Sequence, residues 1–193
     1  ERVFLFMPRT PELSISLIGI LKVGAVGGPL FEAFMEQAVR DRLENSEATA
    51  LITTPALLPR VPYKELPALK HIILVGAEEL PPEEGGTRFY SYEEEMASAS
   101  RELEITWVDR EDGMIMHYTS GSTGKPKGVY HVHNAMIHHY QTAKWVLDLK
   151  EEDIYWCTAD PGWVTGTSYG VFGPWLNGVS TVVQGGRFSP HDW

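Results

Sequence analysis

Short hydrophobic runs alternate with amphipathic stretches along this chain, and that order predicts its fold class. Residues 3–6, 50–53 and 71–75 are apolar runs of strand length. Residues 11–23 and 35–45 repeat apolar side chains every three or four positions, which is typical of helices with one buried face. Strands joined by helices of crossover length form parallel sheets. We therefore predict an α/β fold with a mostly parallel sheet, helices on both faces, and ligands at the carboxyl ends of the strands.

The second half of the chain continues this alternation around a glycine-rich segment. Residues 114–118 predict a strand that leads directly into the segment, which occupies residues 119–128. Asn134 can then cap a helix. We further predict a helix over 92–103, strands over 25–30, 154–157 and 181–184, and, for the helix after Asn134, a buried stripe of Met136, Tyr140, Ala143 and Leu147.

Composition and charge narrow the classes of protein. The 193 residues are 43% hydrophobic, which is enough for one sizeable core. Residues 78–112 account for −9 of the formal net charge of −10, so the acidity is local and predicts a solvated surface segment. Because the sequence has no basic patch, nucleic acid is not an expected partner.

The cysteine count indicates the cellular compartment, and the chain ends indicate how much of the protein this sequence covers. The one cysteine, Cys157, excludes a disulfide within the chain and favours a reducing, cytoplasmic compartment, and its apolar neighbours predict a small buried side chain. The sequence shows neither a signal peptide nor a membrane span, so no membrane partner is expected. The chain begins at Glu1 and ends at Trp193, just after a new loop begins, and we interpret it as a fragment of a longer polypeptide.

The glycine-rich segment carries the most specific chemistry. It holds three glycines, four hydroxyl side chains and two lysines within ten residues. Glycines let backbone N–H groups converge on an anion, and the hydroxyl and ammonium groups add further donors. Each charge-assisted hydrogen bond contributes about 1.5–3 kcal/mol, so several together can hold a triphosphate. The candidate ligands are Thr119, Ser120, Gly121, Ser122, Thr123, Gly124, Lys125, Lys127 and Gly128.

A Walker A loop, G-x-x-x-x-G-K-[ST], is the nearest alternative for this segment, and two positions exclude it. Thr119 stands where that motif has its first glycine, five positions before Gly124. Pro126 stands where the magnesium-binding Ser or Thr would be, and its ring disfavours the immediate helix start that a Walker loop uses. The segment is therefore not that of a P-loop NTPase.

Residues 119–128, TSGSTGKPKG, resemble the signature loop of the adenylate-forming superfamily, which includes acyl-CoA synthetases, luciferases and peptide-synthetase adenylation domains. In that family the loop holds the β and γ phosphates of ATP while a carboxylate attacks the α phosphorus. Pyrophosphate leaves, and the thiol of coenzyme A then displaces AMP from the acyl-adenylate. The resemblance implies that Thr123 and Lys125 are catalytic, and that residues 1–193 are part of the large N-terminal AMP-binding domain, without the C-terminal domain.

A second segment, residues 156–169, resembles the corresponding stretch of the acetyl-CoA synthetase branch, as do residues 21–31. The resemblance implies an acyl pocket lined by Trp163, Val164, Thr165 and Gly166, and it assigns Thr165 and Arg60 to the coenzyme A side. A bulky indole beside a small β-branched wall leaves a short apolar slot. Pro161 and Thr167 stand where this branch often has valine and histidine, so the acyl chain length stays open.

Three functions follow from these resemblances as alternatives. The first is an AMP-forming ligase that activates acetate or another short carboxylate with ATP, accompanied by Mg²⁺, and transfers the acyl group to coenzyme A; the fragment alone is expected to be inactive. The second is an adenylating enzyme for a longer or aromatic acid. The third is a catalytically silent module that binds nucleotide. The family's metal-holding glutamate and catalytic lysine lie downstream of this chain, so no metal ligand is assigned within it.

Histidines and tryptophans have competing interpretations. His131 and His133 share one side of an extended segment, and His138 and His139 follow, but no carboxylate or cysteine stands nearby to complete a zinc site. A packing role beside the loop is the favoured prediction. Trp156 is predicted to lie in the core, whereas Trp163 fits the core and the acyl pocket equally well.

Overall fold

The computed structural model describes residues 1–120 and 124–186 of the chain. Its strands are β1 (Arg2–Phe6), β2 (Val26–Pro29), β3 (Ala50–Thr53), β4 (His71–Leu74), β5 (Arg88–Ser91), β6 (Gly113–Ser120), β7 (Pro126–Val132), β8 (Ile154–Trp156) and β9 (Ser180–Val182). Its α-helices are α1 (Pro11–Lys22), α2 (Glu36–Ser46), α3 (Tyr92–Ser98), α4 (Ala135–Trp145), α5 (Val164–Thr167) and α6 (Gly173–Leu176). A π-helical segment, Ser168–Phe172, joins the last two helices, and none of the helices described has the length and apolar character to cross a membrane.

Seven strands form one sheet in the order β5-β4-β3-β1-β2-β6-β7, and β8 pairs with β9 in a second sheet. Every pairing is parallel except that of β6 with β7. The predicted mostly parallel α/β sheet is therefore confirmed. Strands β5 and β7 were not predicted. Strand β7 begins at Pro126, which cannot donate a backbone hydrogen bond and is tolerated here because β7 is an edge strand.

Both faces of the large sheet are covered, as predicted. Side chains alternate along β1, so Phe4 and Phe6 pack with α2 in one core while Leu5 packs with α1 in another. Val39 and Leu43 are the buried residues by which α2 contacts the first core. Helix α1 contributes Leu13, Leu17 and Ile20 to the second.

The order of the central strands creates a crevice at the carboxyl edge of the sheet. From β1 the chain crosses to β2 through α1, and from β2 it returns past β1 to β3 through α2. Since these two helices lie on opposite faces, the loops that leave β1 and β2 diverge from each other. Ligands of open α/β sheets bind where connections diverge in this way.

Two helices differ from their predictions. Helix α3 ends at Ser98 rather than at residue 103, and the chain beyond it runs extended, where the N–H of Thr106 donates to the carbonyl of Lys22. On α4 the predicted burial of Ala143 is confirmed and His139 is buried as well, whereas Tyr140 is exposed, and Leu147 lies beyond the end of the helix and is exposed too. The buried stripe is rotated because the ring of His139 stacks on Phe172, at 6.1 Å between centroids. Neither Thr10 nor Asn134 makes a side-chain capping bond in the described part of the chain.

Candidate active site

A cavity of about 700 Å³ lies at the carboxyl edge of the large sheet, where the loops after β1 and β2 diverge. Arg9, three residues after β1, lines one side, and Phe31, two residues after β2, lines another. Asp160 and Trp163, which follow β8, complete the wall opposite. A volume of this size is within the range of sites that bind small ligands and cofactors.

Aromatic side chains form one wall of the cavity. The ring of Trp163 lies 5.5 Å from that of Phe31 and 6.2 Å from that of Phe34, measured between centroids. The guanidinium of Arg42 lies over the ring of Phe34, 4.0 Å from its centroid. Trp163 keeps 45% of its surface exposed, and it is an element of the cavity wall rather than of the buried core.

A tight turn holds Trp163 against the loop after β2. The N–H of Trp163 donates to the carbonyl of Asp160 at 2.9 Å, and the N–H of Gly162 donates to the Asp160 carboxylate at 2.8 Å. Gly162 lies so close to the β2–α2 loop that a Cβ added to it would be 2.2 Å from the backbone nitrogen of Phe31. The turn and the loop therefore fit together only because residue 162 has no side chain.

The charge of Asp160 depends on its neighbours in the cavity. Burial raises the pKa of its carboxyl group above the ordinary value. The hydrogen bond from Gly162 and the positive charge of Arg9 lower this pKa and partly offset the burial, while the negative charge of Glu32 raises it further. Ionised Asp160 is thus favoured by two groups and opposed by burial and one carboxylate.

Two arginines reach the cavity from opposite sides. Arg60 is the last residue of the 3₁₀ turn Leu58–Arg60, after β3, and donates from Nη1 to the carbonyl of Glu32 at 3.1 Å. Arg9 donates from Nη2 to the carbonyl of Gly186 at 2.9 Å and from Nη1 to that of Thr158 at 3.5 Å. These contacts use part of each guanidinium fork, and they fix the direction of two positive charges at the rim of the cavity.

The predicted phosphate loop connects β6 and β7. Thr119 pairs with Lys127 and Ser120 with Pro126 across this antiparallel hairpin. Gly124 has a φ of +84°, which favours glycine. Lys125 and Lys127 are exposed, and neither forms an ion pair with any residue that the structure describes. The predicted ligands Gly121, Ser122 and Thr123 lie outside the described residues.

The loop and the cavity share one edge of the sheet. Strand β6 is parallel to β2, with Ile115 opposite Gly27. Beyond this point β2 continues for two residues, to Pro29, whereas β6 continues for five, to Ser120. At about 3.3 Å per residue, the hairpin extends about 10 Å past the end of β2 at the edge where the cavity opens.

Other predicted site residues are less close to the cavity. Val164 and Thr165 begin α5 with exposed side chains, next to Trp163 but outside the cavity lining. Gly166 is buried, and a Cβ there would be 2.0 Å from the carbonyl oxygen of Asp160. Two packing predictions were wrong, because Trp156 is 36% exposed and Cys157 is partly exposed.

The histidine cluster consists of His117 on β6, His131 on β7 and His139 on α4. The rings of His117 and His131 lie 5.9 Å apart, and His117 is only 3% exposed. Burial, with the neighbouring imidazoles, lowers the pKa of His117 and of His139 to about 4. Among the described residues, no three His, Cys, Asp or Glu side chains are arranged to hold a metal ion.

With this geometry in view, comparison with known proteins decides the family. A family profile described as "AMP-binding enzyme" matches residues 1–193. The chain belongs to the AMP-binding enzyme family.

Acetyl-coenzyme A synthetases are among the relatives of this chain. That of Bacillus subtilis (strain 168) is 62% identical over 193 residues, which cover all of this chain and 33% of the relative. That of Deinococcus radiodurans is 38% identical over 208 residues, covering all of this chain and 32% of the relative. A crystal structure of a Brucella canis acyl-CoA synthetase matches with a TM-score of 0.89 at 32% identity, over 100% of this chain and 34% of that one. The chain thus spans about a third of the length of these relatives.

Arg9 and Phe31 line the cavity but were not among the site residues predicted from the sequence. Both follow the carboxyl ends of parallel strands, which is the signal that could have identified them. Asp160 was noted only as part of the segment 156–169, with no role assigned to it. Its hydrogen bonds to the turn that carries Trp163 become visible only in the folded chain.

Proposed function

We propose that these residues form the nucleotide-binding loop and part of the carboxylate pocket of an AMP-forming ligase. The ligase would activate acetate, or another short carboxylate, with ATP and transfer the acyl group to coenzyme A. The observation that carries the proposal is the common edge of the sheet, where the hairpin of β6 and β7 extends past the end of β2 and the cavity with the aromatic wall opens. Because the chain spans a third of its relatives, the activity belongs to a longer protein that contains these residues.

The loop residues would act on the leaving pyrophosphate. Lys125 and Lys127 carry positive charges without ion-pair partners in the described part of the chain, and such charges stabilise the β and γ phosphates. Thr123 and Lys125 are the proposed catalytic contacts, with Ser120, Gly121 and Ser122 supplying further donors. A carboxylate oxygen bonds to the α phosphorus while the bond from that phosphorus to the bridging oxygen breaks. Mg²⁺ would arrive on the phosphate oxygens of ATP.

The acyl group would lie against the aromatic wall. Trp163 supports this assignment through its place in the lining, and Val164, Thr165 and Gly166 remain proposals because their side chains or backbone lie just outside it. A pocket wall of this kind discriminates by about 1–3 kcal/mol per methylene. We therefore expect a preference among short acids rather than strict exclusion of all but one.

Coenzyme A would approach from the side of Arg60. The guanidinium of Arg60 is oriented by the carbonyl of Glu32 and keeps donors free for a phosphate. In the second step the thiolate sulfur bonds to the acyl carbon, the bond to the AMP oxygen breaks, and AMP leaves. Thr165 is the other residue proposed for this side.

The cytoplasmic location remains a prediction from the cysteine content.

The size of the cavity keeps a second candidate in view. About 700 Å³ is far more than acetate fills, and a longer or aromatic acid would also fit this volume. The thiol arm of coenzyme A needs part of the same space, which is why the short acid remains the main proposal. A catalytically silent nucleotide-binding module is the third candidate.

Carboxylate-dependent exchange of labelled pyrophosphate into ATP tests all three, using the full-length protein with acetate, propionate, butyrate and benzoate. Exchange that is strongest with acetate or propionate supports the proposal, and exchange confined to larger acids supports the second candidate. The variant Lys125→Ala/Lys127→Ala should lose exchange. Lys144→Ala is the matched control, since this lysine lies on α4 and contacts Tyr140. ATP binding without exchange for any acid would overturn the proposal in favour of the silent module.

A further inference from the structure

Arg9 occupies an unusual place between the two sheets. It follows β1 of the large sheet, yet its guanidinium donates to carbonyl oxygens of Thr158 and Gly186. Thr158 follows β8 by two residues and Gly186 follows β9 by four, so both carbonyls lie at the carboxyl edge of the small parallel sheet. The side chain of Arg9 therefore spans the gap in which the cavity lies.

The same arginine acts on the turn that holds the aromatic wall. Its charge favours the ionised form of Asp160, and the carboxylate of Asp160 accepts the N–H of Gly162. The carbonyl of Asp160 accepts the N–H of Trp163. Arg9 is thus connected with this turn in two ways, by its charge, which acts on Asp160, and by its hydrogen bond to the carbonyl of Thr158, two residues before Asp160.

The other groups near Asp160 do not replace this contribution. Glu32, on the loop after β2, carries a negative charge that opposes ionisation of Asp160. Arg60 lines the same cavity, but it donates to the carbonyls of Glu32 and Phe34 in the β2–α2 loop. Arg9 is the cation that favours ionised Asp160 among the described residues.

We propose that Arg9 is a positioning residue for the carboxylate pocket: it binds the carbonyls of Thr158 and Gly186 and so fixes the segment in which Asp160 and Trp163 lie. This inference rests on the proposed function, because it concerns the same pocket. It assigns no chemical step to Arg9, which acts through Asp160 and the turn. Removing the guanidinium should loosen the pocket for the acid and leave the triphosphate loop intact.

The test compares Arg9→Met and Arg9→Lys in the full-length enzyme by pyrophosphate exchange. Losing the charge and two hydrogen bonds should raise KM for the carboxylate roughly ten- to a hundredfold, with little change in KM for ATP. Arg9→Lys keeps the charge without the fork, so it should recover part of this loss. Arg88→Met is the matched control, because Arg88 lies on the exposed edge strand β5 and pairs with Glu83.

A double variant separates positioning from a general loss of stability. If Arg9 acts through Asp160, then Arg9→Met and Asp160→Asn should be strongly non-additive in their effect on KM for the carboxylate. A carboxylate KM equal to that of the wild type in both Arg9 variants would overturn the inference, whatever their thermal midpoints. If Arg9→Met does not fold, the KM of Arg9→Lys decides alone. Failure of the wild type to exchange with any acid would instead refute the proposed function.

Discussion

Two groups of polar side chains lie against the same seven-stranded sheet. One lines the cavity at the carboxyl edge, and the other is the histidine cluster at the hairpin of β6 and β7. In the cavity, the carboxylate of Asp160 has a hydrogen-bond donor at 2.8 Å and a cation nearby. In the histidine cluster, Nδ1 of His117 and of His139 and Nε2 of His131 have no hydrogen-bond partner within the described part of the chain. The cavity thus provides a donor and a cation for a carboxylate, whereas the histidine cluster buries imidazole rings that stay neutral.

This difference distinguishes the proposed binding site from a cluster of packed rings. A buried group that stays charged needs compensating partners, and such partners are also what can recognise a ligand. Imidazoles buried among aromatic rings without partners stay neutral and fill space, as the stacking of His139 on Phe172 illustrates. Perturbed pKa values therefore occur in both regions, but only the cavity combines them with an opening and a set of directed charges.

The largest expected effect on exchange activity comes from a substitution at Gly162 that disrupts the wall of the cavity. In Gly162→Ala the new Cβ would collide with backbone atoms of Leu30 and Phe31, which cannot rotate away as a side chain could. The turn must then move off the loop and take Trp163 with it. Displacement of about 1 Å at a reaction site lowers rates roughly a hundredfold, so exchange activity should fall by about that factor.

The control for this variant is Gly19→Ala on α1. A Cβ at Gly19 meets no atom within 4 Å, and alanine is the better helix former, so activity should be kept and the unfolding free energy should rise by about 0.5–1 kcal/mol. Wild-type activity in Gly162→Ala would show that the turn and the loop are not locked as the structure has them.

The histidine cluster should respond to acid rather than to ligand. Since the pKa of His117 is about 4 in the folded chain and near 6.5 when unfolded, the unfolded state binds more protons between these values, and stability falls as pH drops through that window. Between pH 7 and pH 5 the unfolding free energy should decrease by about 2 kcal/mol on account of His117. His131, His139 and His138 are the titratable neighbours that oppose its protonation directly or through the cluster.

Chemical denaturation of the full-length enzyme at several pH values measures this dependence. His117→Phe and His117→Gln should both flatten the loss below pH 6.5, because neither side chain titrates, although only the second is polar. An unchanged slope in both variants would mean that His117 is accessible to protons in the folded state and that the cluster is not a dry packing element.

The sequence predicted the buried parts of the fold better than its edges. Strand β3 was predicted over residues 50–53 and lies at Ala50–Thr53, because an apolar run buried on both faces has few alternatives. Strand β5 was missed since a four-residue edge strand, Arg88–Ser91, leaves little pattern. The predicted face of α4 was right at Ala143 but wrong at Tyr140, and His139 is buried instead because its ring stacks on Phe172, which no periodicity within the helix reveals.

The candidate site divides in the same way. The loop 119–128 was evident from the sequence since its chemistry lies in consecutive residues. The cavity was not, because Arg9 meets Thr158 across 149 positions of the chain. Such a contact depends on the order of strands in two sheets, and that order cannot be read from the pattern of residues in one sequence. Arg9 and Asp160 could therefore be assigned to the site only from the structure.

The smallest expected effect concerns charges that neither region buries. Lys64 and Glu84 form an ion pair at 2.8 Å, as short as the bond from Gly162 to the Asp160 carboxylate, but both side chains are about half exposed. Water solvates each charge well when the pair is broken, so the short distance carries little free energy. Lys64→Met should leave the thermal midpoint of the full-length enzyme and its exchange activity unchanged, in low salt and in high salt. A clear drop in the midpoint would show that a charged partner stabilises the protein as much at the surface as in the cavity. Only burial, and not the presence of partners, would then distinguish the cavity from the surface.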